Sequence, residues 1–215
     1  MKRIPTIIIG ARADGHAKVV LEMLEAGEVY NVVGFIDDDK SKIGTEIRGI
    51  KVMGSTADLE NLKEKMGIAA GIVAIGNNPL RRQLAERIEK SGLELINAIH
   101  PTVHIDSDVL IGKGCYIGQG VILVTGTKIG NCVNIHTGAT IDHDNVIEDG
   151  ANLGPGVHTA GRVKIGRDAF LSTGAIVIPD ASVGENSVVG AGGVVINVLP
   201  PNVTAVGVPV KIIRK

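Results

Sequence analysis

The sequence predicts a Rossmann-like α/β domain over residues 1–100 followed by a parallel β-solenoid over residues 101–215. Three observations predict it. Strand-like and helix-like segments alternate up to Ile99, an unbroken six-residue period begins after His100–Pro101, and the composition suits tightly turned β segments. The chain holds 29 glycines, 2% aromatic residues and no tryptophan.

In the first part, Thr6–Gly10 (TIIIG) reads as a buried strand and Gly15–Leu24 as a helix with an apolar stripe. Val32–Ile36 (VVGFI) is a second strand, ended by Asp37, Asp38 and Asp39. Thr56–Met66 reads as helix, Ala70–Ile75 as strand, and Pro79–Ser91 as a helix opening on proline. Alternation of this kind argues for a small parallel sheet flanked by helices.

From Val103 the chain divides into sixteen consecutive hexads without an insertion, and the third position is Ile, Leu or Val in 15 of them. Thr159 is the exception. Position one is mainly small or aliphatic, and position four is often glycine. Such a register over 96 residues is the mark of a solenoid. Three hexads make one triangular coil of 18 residues, with third-position side chains stacked inside and Gly, Asn and Asp at the corners.

Composition bounds the function. A formal net charge of −1 gives no reason to expect nucleic acid or an anionic membrane as partner. Cys115 and Cys132 form no framework or CxxC pair and read as buried thiols in a reducing compartment. The opening MKRIPTIIIGARADGH is too briefly apolar for a signal peptide. No apolar run reaches the roughly 18–20 residues of a membrane helix. The expectation is a soluble cytoplasmic protein. The first turn, Gly10-Ala11-Arg12-Ala13-Asp14-Gly15, lacks the GxGxxG fingerprint, which argues against a dinucleotide oxidoreductase.

Several motifs stand in a fixed order: GFIDDD (34–39), AIGNNPLRR (74–82), AIHPT (98–102), ATIDHDN (139–145), AGRVKIG (160–166) and VGVPVKIIR (206–214). With them, nearly the whole chain resembles the sialic acid O-acetyltransferase and bacterial nucleotide-amino-sugar N-acetyltransferase family of hexapeptide-repeat acyltransferases. The resemblance implies a left-handed β-helix, a homotrimer with active sites between subunits, and acetyl-CoA as co-substrate. It implies acetyl transfer to the amino group of a nucleotide-linked 4-amino-4,6-dideoxy sugar. A sugar or sialic acid O-acetyltransferase is the alternative acceptor chemistry, and an inert trimeric scaffold the non-enzymatic one. Three departures stand out: a first turn two residues longer than usual, His136 where relatives commonly carry Asn, and Asn152 where some carry a histidine that contacts the acetyl donor.

Acetyl transfer from a thioester needs a base, donors for the oxyanion, and alignment. His143 is the natural base. Asp142 and Asp144 flank it, and the resemblance favours Asp144 as its partner, with His136 as a possible assistant. The plain alternative is that Asp-His-Asp is a polar corner. His104 and His158 occupy outward second positions and read as wall residues, and the histidine spacings match no compact metal motif. The resemblance places Gly161, one coil after His143, beside the thioester carbonyl. It places Asn152, Ala191 and Gly192 along the acetyl-CoA arm, and Lys211 and Arg214 near its phosphates. The sugar nucleotide is expected at the C-terminal strand ends of the first domain, near Gly10, His16, Asp37, Asp38, Asn77, Asn78 and Arg81.

Overall fold

A computed structural model describes residues 3–10 and 15–214. It divides into two compact units, Met1–His100 and Pro101–Lys215.

The first unit is a six-stranded sheet of order β3-β4-β2-β1-β5-β6. Strand β1 (Ile4–Ile9) lies at its centre, parallel to β2 (Tyr30–Ile36) on one side and β5 (Ala70–Val73) on the other. Strand β4 (Ile50–Gly54) extends the sheet beyond β2, and β6 (Glu94–Leu95) extends it beyond β5, both parallel to their neighbours. A parallel sheet covered on both faces needs continuous apolar strands. Accordingly Ile7, Ile8 and Ile9 are all at most 2% exposed.

Helix α1 (His16–Ala26) buries Ala17, Val20, Leu21 and Leu24, the spacing of one helical face. Helix α2 (Leu59–Met66) stops at Gly67 in the left-handed region. Helix α3 (Asn78–Lys90) is capped by Asn77, whose side chain accepts from the Leu80 N–H at 2.9 Å, and Pro79 stands in its first turn. The expected helix over 56–66 opens as a 3₁₀ turn at Thr56–Asp58, because Ser55 and Asp58 form a reciprocal capping box there. The hairpin of β3 (Glu46–Ile47) and β4 was not anticipated. Its turn residues Arg48 and Gly49 both have positive φ, as a two-residue hairpin turn requires, but arginine hides that signal.

The sheet order reverses direction between β1 and β5, so a crevice opens at their C-terminal ends. Gly10 follows β1 there with φ +104, and a Cβ on it would fall 2.6 Å from Ile75 Cγ2. No other residue fits that approach.

The second unit is a parallel β-helix. Its strands are two residues long, at hexad positions two and three, and each pairs with the strand 18 residues on. Along one side the ladder runs His104, Ile122, Thr140, His158, Ile176, Val194. Alternation along each short strand turns position three inward and position two outward. Ile117, Leu123, Ile135, Ile141, Leu153 and Leu171 are all fully buried. Position one also faces inward: Val121, Val133, Ala139, Ala151 and Val157 are likewise fully buried.

Every sixth residue from Gly114 to Gly192 has a positive φ. One left-handed residue per side turns the chain through each corner. Glycine, Asp and Asn tolerate that conformation, whereas Cys132 and Arg162 adopt it at a cost. Beyond the hexads, the strand Thr204–Val206 continues one ladder, and Lys211–Arg214 folds back antiparallel against it.

If the third-position column carries the stability, Ile135→Ala should cost about 2–5 kcal/mol. Lys128→Ala, at an outward position, should stay within about 0.5 kcal/mol. Denaturant unfolding of both variants checks the contrast.

Candidate active site

Asp142, His143 and Asp144 close the hexad 139–144, so the turn geometry of one corner sets their directions. The two carboxylates divide the work. Asp144 Oδ2 lies 2.8 Å from His143 Nδ1, while Asp142 Oδ1 accepts from the His143 backbone N–H at 2.7 Å. Asp144 reaches the ring because it holds the left-handed corner position, φ 57. The pairing occupies Nδ1 and leaves Nε2 on the far side of the ring from Asp144. The His143 side chain is 40% exposed, so its ring is reachable from solvent.

One coil on, Gly161 lies against that ring. A Cβ on Gly161 would stand 2.3 Å from His143 Nε2, so only glycine permits this approach. Among the described residues the Gly161 N–H donates to none. Other fifth-position N–H groups differ in whether they are taken up. The N–H groups of Lys113, Thr125, Asn131, His143 and Arg167 each donate to a side-chain oxygen at 2.7–3.0 Å.

Beneath the corner is Asn145, fully buried at a first hexad position. Its Nδ2 donates to the carbonyls of Asp142 (2.7 Å), His143 (3.2 Å) and Ala160 (2.8 Å). On the outside, Arg162 clasps Asp180 bidentately at 2.7 and 2.9 Å. Neither Asn145 nor this ion pair was picked out from sequence. An Asn where aliphatics are the rule was the available signal for the first.

The other β-helix residues singled out lie elsewhere. His136 ends the preceding side, with its ring 5.2 Å from that of Tyr116 at a 49° tilt. Asn152 is buried opposite Asn134 in the same ladder. Ala191 and the corner residue Gly192 follow a later strand of that ladder, and exposed Lys211 and Arg214 lie on its final strand. Within one chain, then, His143 and Gly161 share one corner, while His136, Asn152, Gly192 and Lys211 belong to another side. His158 faces outward and bonds Thr140 at 2.7 Å; His104 pairs with Asp106 at 3.0 Å. Cys115 and Cys132 are buried and not joined in a disulfide. No three His, Cys, Asp or Glu side chains among the described residues gather as a metal-holding group.

In the first unit, Gly10, Asn77, Asn78 and Arg81 cluster around the β1/β5 crevice. Asn77 is spent as the helix cap. Arg81 is fully buried and donates to the Ile75 carbonyl and to Asn78 Oδ1, so it shapes the loop from within. Asp37 and Asp38 end β2, on the other side of β1. Asp37 pairs with Lys42 at 2.8 Å, and Asp38 accepts from the backbone and hydroxyl of Thr56. His16 begins α1; residues 11–14 of the lengthened first turn lie outside the described residues.

Known proteins resemble this chain in sequence and fold. The PglD N-terminal domain family matches residues 6–88. PerB from Caulobacter crescentus, solved in complex with CoA and GDP-perosamine, is 40% identical with a TM-score of 0.90, over 97% of this chain and 96% of that one. The acetyltransferase domain of PglB from Neisseria gonorrhoeae FA1090, in complex with acetyl coenzyme A, is 31% identical with a TM-score of 0.89, over 99% and 100%. The chain belongs to this family of hexapeptide-repeat sugar N-acetyltransferases. Its fold is theirs, an α/β domain followed by a left-handed parallel β-helix. The UDP-N-acetylbacillosamine N-acetyltransferase of Bacillus subtilis is 36% identical over 104 residues, and the match spans about half of each chain, 48% of this one and 47% of that one.

The acetyltransferase fold carries one electrostatic feature that can be checked directly. Hydrogen bonds from Arg162, then its charge and that of His143, hold the Asp180 carboxyl below its ordinary value of 3.8. A depressed carboxyl pKa contributes stability that is complete above the unfolded value and is lost as pH falls through the folded one. NMR titration should find Asp180 below the usual aspartate range, and Arg162→Gly should move it back up.

Proposed function

We propose that the protein transfers the acetyl group of acetyl-CoA to the amino group of a nucleotide-linked 4-amino-4,6-dideoxy sugar, with His143 as general base. The observation that carries this is the corner itself. An imidazole with Nδ1 held by a carboxylate presents Nε2 against Gly161, whose backbone N–H is unspent. The amine nitrogen attacks the thioester carbonyl while Nε2 takes its proton, and the Gly161 N–H receives the developing oxyanion. Collapse expels the CoA thiolate, which takes up a proton to leave as the thiol, and the amide remains on the sugar. Asp144 holds the tautomer and stabilises the imidazolium, as a carboxylate does for a histidine base elsewhere.

The crevice at β1 and β5 is our candidate for the sugar nucleotide, as in other sheets that reverse winding. Gly10, His16 and Asn78 are its candidate contacts, with the loop held by Asn77 and Arg81. Asp37 and Asp38 are engaged with Lys42 and Thr56, so a role toward the nucleotide rests on their remaining lone pairs. The residues assigned to acetyl-CoA divide between two parts of the β-helix: Gly161 at one corner, and Asn152, Ala191, Gly192 and Lys211 on another side. That division is what a groove between two copies of the chain would need, and supports a homotrimer in which His143 of one copy faces His136 and Asn152 of the next. A cytoplasmic location fits a nucleotide-sugar substrate. No described helix is long and apolar enough to cross a membrane.

A thiol-release assay with acetyl-CoA against UDP- and GDP-linked 4-amino sugars and CMP-sialic acid tests the acceptor. Turnover with an amino sugar is expected; turnover with sialic acid alone would replace the amine by a hydroxyl acceptor. His143→Ala should lower kcat by roughly 10²–10⁴ with CoA binding intact, and near-normal turnover would remove His143 from the role of base.

A further inference from the structure

The peptide group joining Ala160 to Gly161 is shared by two features of the corner. Its N–H is the unspent donor of the glycine that packs against His143 Nε2, and its C=O accepts from Asn145 Nδ2 at 2.8 Å. A trans peptide is planar, so its C=O and N–H point in opposite directions. An amide that draws the carbonyl toward the interior therefore turns the N–H toward solvent. The same Nδ2 reaches the carbonyls of Asp142 and His143, one coil below. One buried side chain thus grips both the backbone that carries the base and the peptide that offers the donor.

We infer that Asn145 is a positioning residue that aims the Gly161 N–H at the reacting carbonyl and fixes its separation from His143. The inference rests on the acetyl-transfer reading above. It explains why a polar amide occupies a first hexad position, where Val121, Val133 and Val157 need only pack. Thr127 holds the Asp142 carbonyl in the same way one coil earlier, but with a single hydroxyl, whereas the Asn145 amide reaches three carbonyls across two coils. The Gly161 N–H donates to no described residue, so among these bonds its orientation is set from the carbonyl side. A hydrogen bond to the carbonyl also polarises the peptide and strengthens the N–H as a donor.

The test is Asn145→Val, which places the usual aliphatic residue at that position, assayed with acetyl-CoA and the amino-sugar nucleotide that turns over fastest. Expected is a fall in kcat of about 10² or more, with both KM values within about twofold, since only transition-state binding is lost. Thr6→Val is the control, because Thr6 is fully buried in the first unit and donates to the Ile4 carbonyl at 2.9 Å, with no part in the β-helix. It should lower Tm while leaving kcat unchanged. Wild-type kcat in folded Asn145→Val, or equal losses of kcat in the two variants at equal Tm, would overturn the inference. Should the valine variant not fold, Asn145→Thr keeps one donor, like Thr127 one coil earlier in the same column, and is expected to lose part of kcat. Full turnover in it would likewise overturn the inference. Failure of the underlying reading has a separate signature: turnover that survives His143→Ala.

Discussion

The coil-to-coil hydrogen bond, repeated every 18 residues, is the constraint on which the β-helix and its chemistry depend. Thr140 N–H donates to Val157, Asp142 to Thr159 and Asp144 to Thr125, each at 3.0–3.2 Å, and the same pattern recurs in every coil. Because the bonds tolerate no change of register, residues 18 apart must lie above one another. That stacking brings Gly161 against His143, and Asp180 against Arg162, without any long-range search by the chain. A single insertion between residues 143 and 161 would dissolve the corner while leaving each coil well formed.

The corner also shows how polar groups are apportioned in a fold with little spare capacity. Asp142 and Asp144 are equivalent in sequence, yet one serves the backbone and the other the ring, because only the sixth position takes the left-handed conformation. Arg162 takes that conformation too, against the preference of a long side chain, and answers with a bidentate bond to Asp180. The inner side of the same turn is held by Asn145. The proposed base and donor and the groups that hold them therefore come from stacked corner segments: Asp142, His143, Asp144 and Asn145 in one coil, Gly161 and Arg162 in the next, and Asp180 in the one after.

Much of this was legible in the sequence. Third-position aliphatics gave the register, and the register gave the alignment of His143 with Gly161, because a solenoid converts sequence period directly into contact. The α/β domain was legible through apolar runs such as TIIIG, which only a doubly covered strand requires. What escaped has physical reasons. The hairpin at 46–54 turns on an arginine, and the strand and helix ends depend on caps rather than on periodicity. Arg81 looks from sequence like a phosphate ligand but is consumed by its own loop. Asn145 was visible in the motif, yet its partners are main-chain carbonyls, which no side-chain pattern reports. Residues meant for one cofactor fell on two sides of the β-helix, a division that only coordinates reveal.

The central claim is that the reaction takes place at the corner shared by His143 and Gly161. A crystal structure of the protein with CoA and an amino-sugar nucleotide bound tests it most directly. The account predicts the sugar amino nitrogen within hydrogen-bonding reach of His143 Nε2, about 3 Å, and the CoA sulfur beside Gly161. An amine seated against another corner of the β-helix, with His143 facing only solvent, would contradict it.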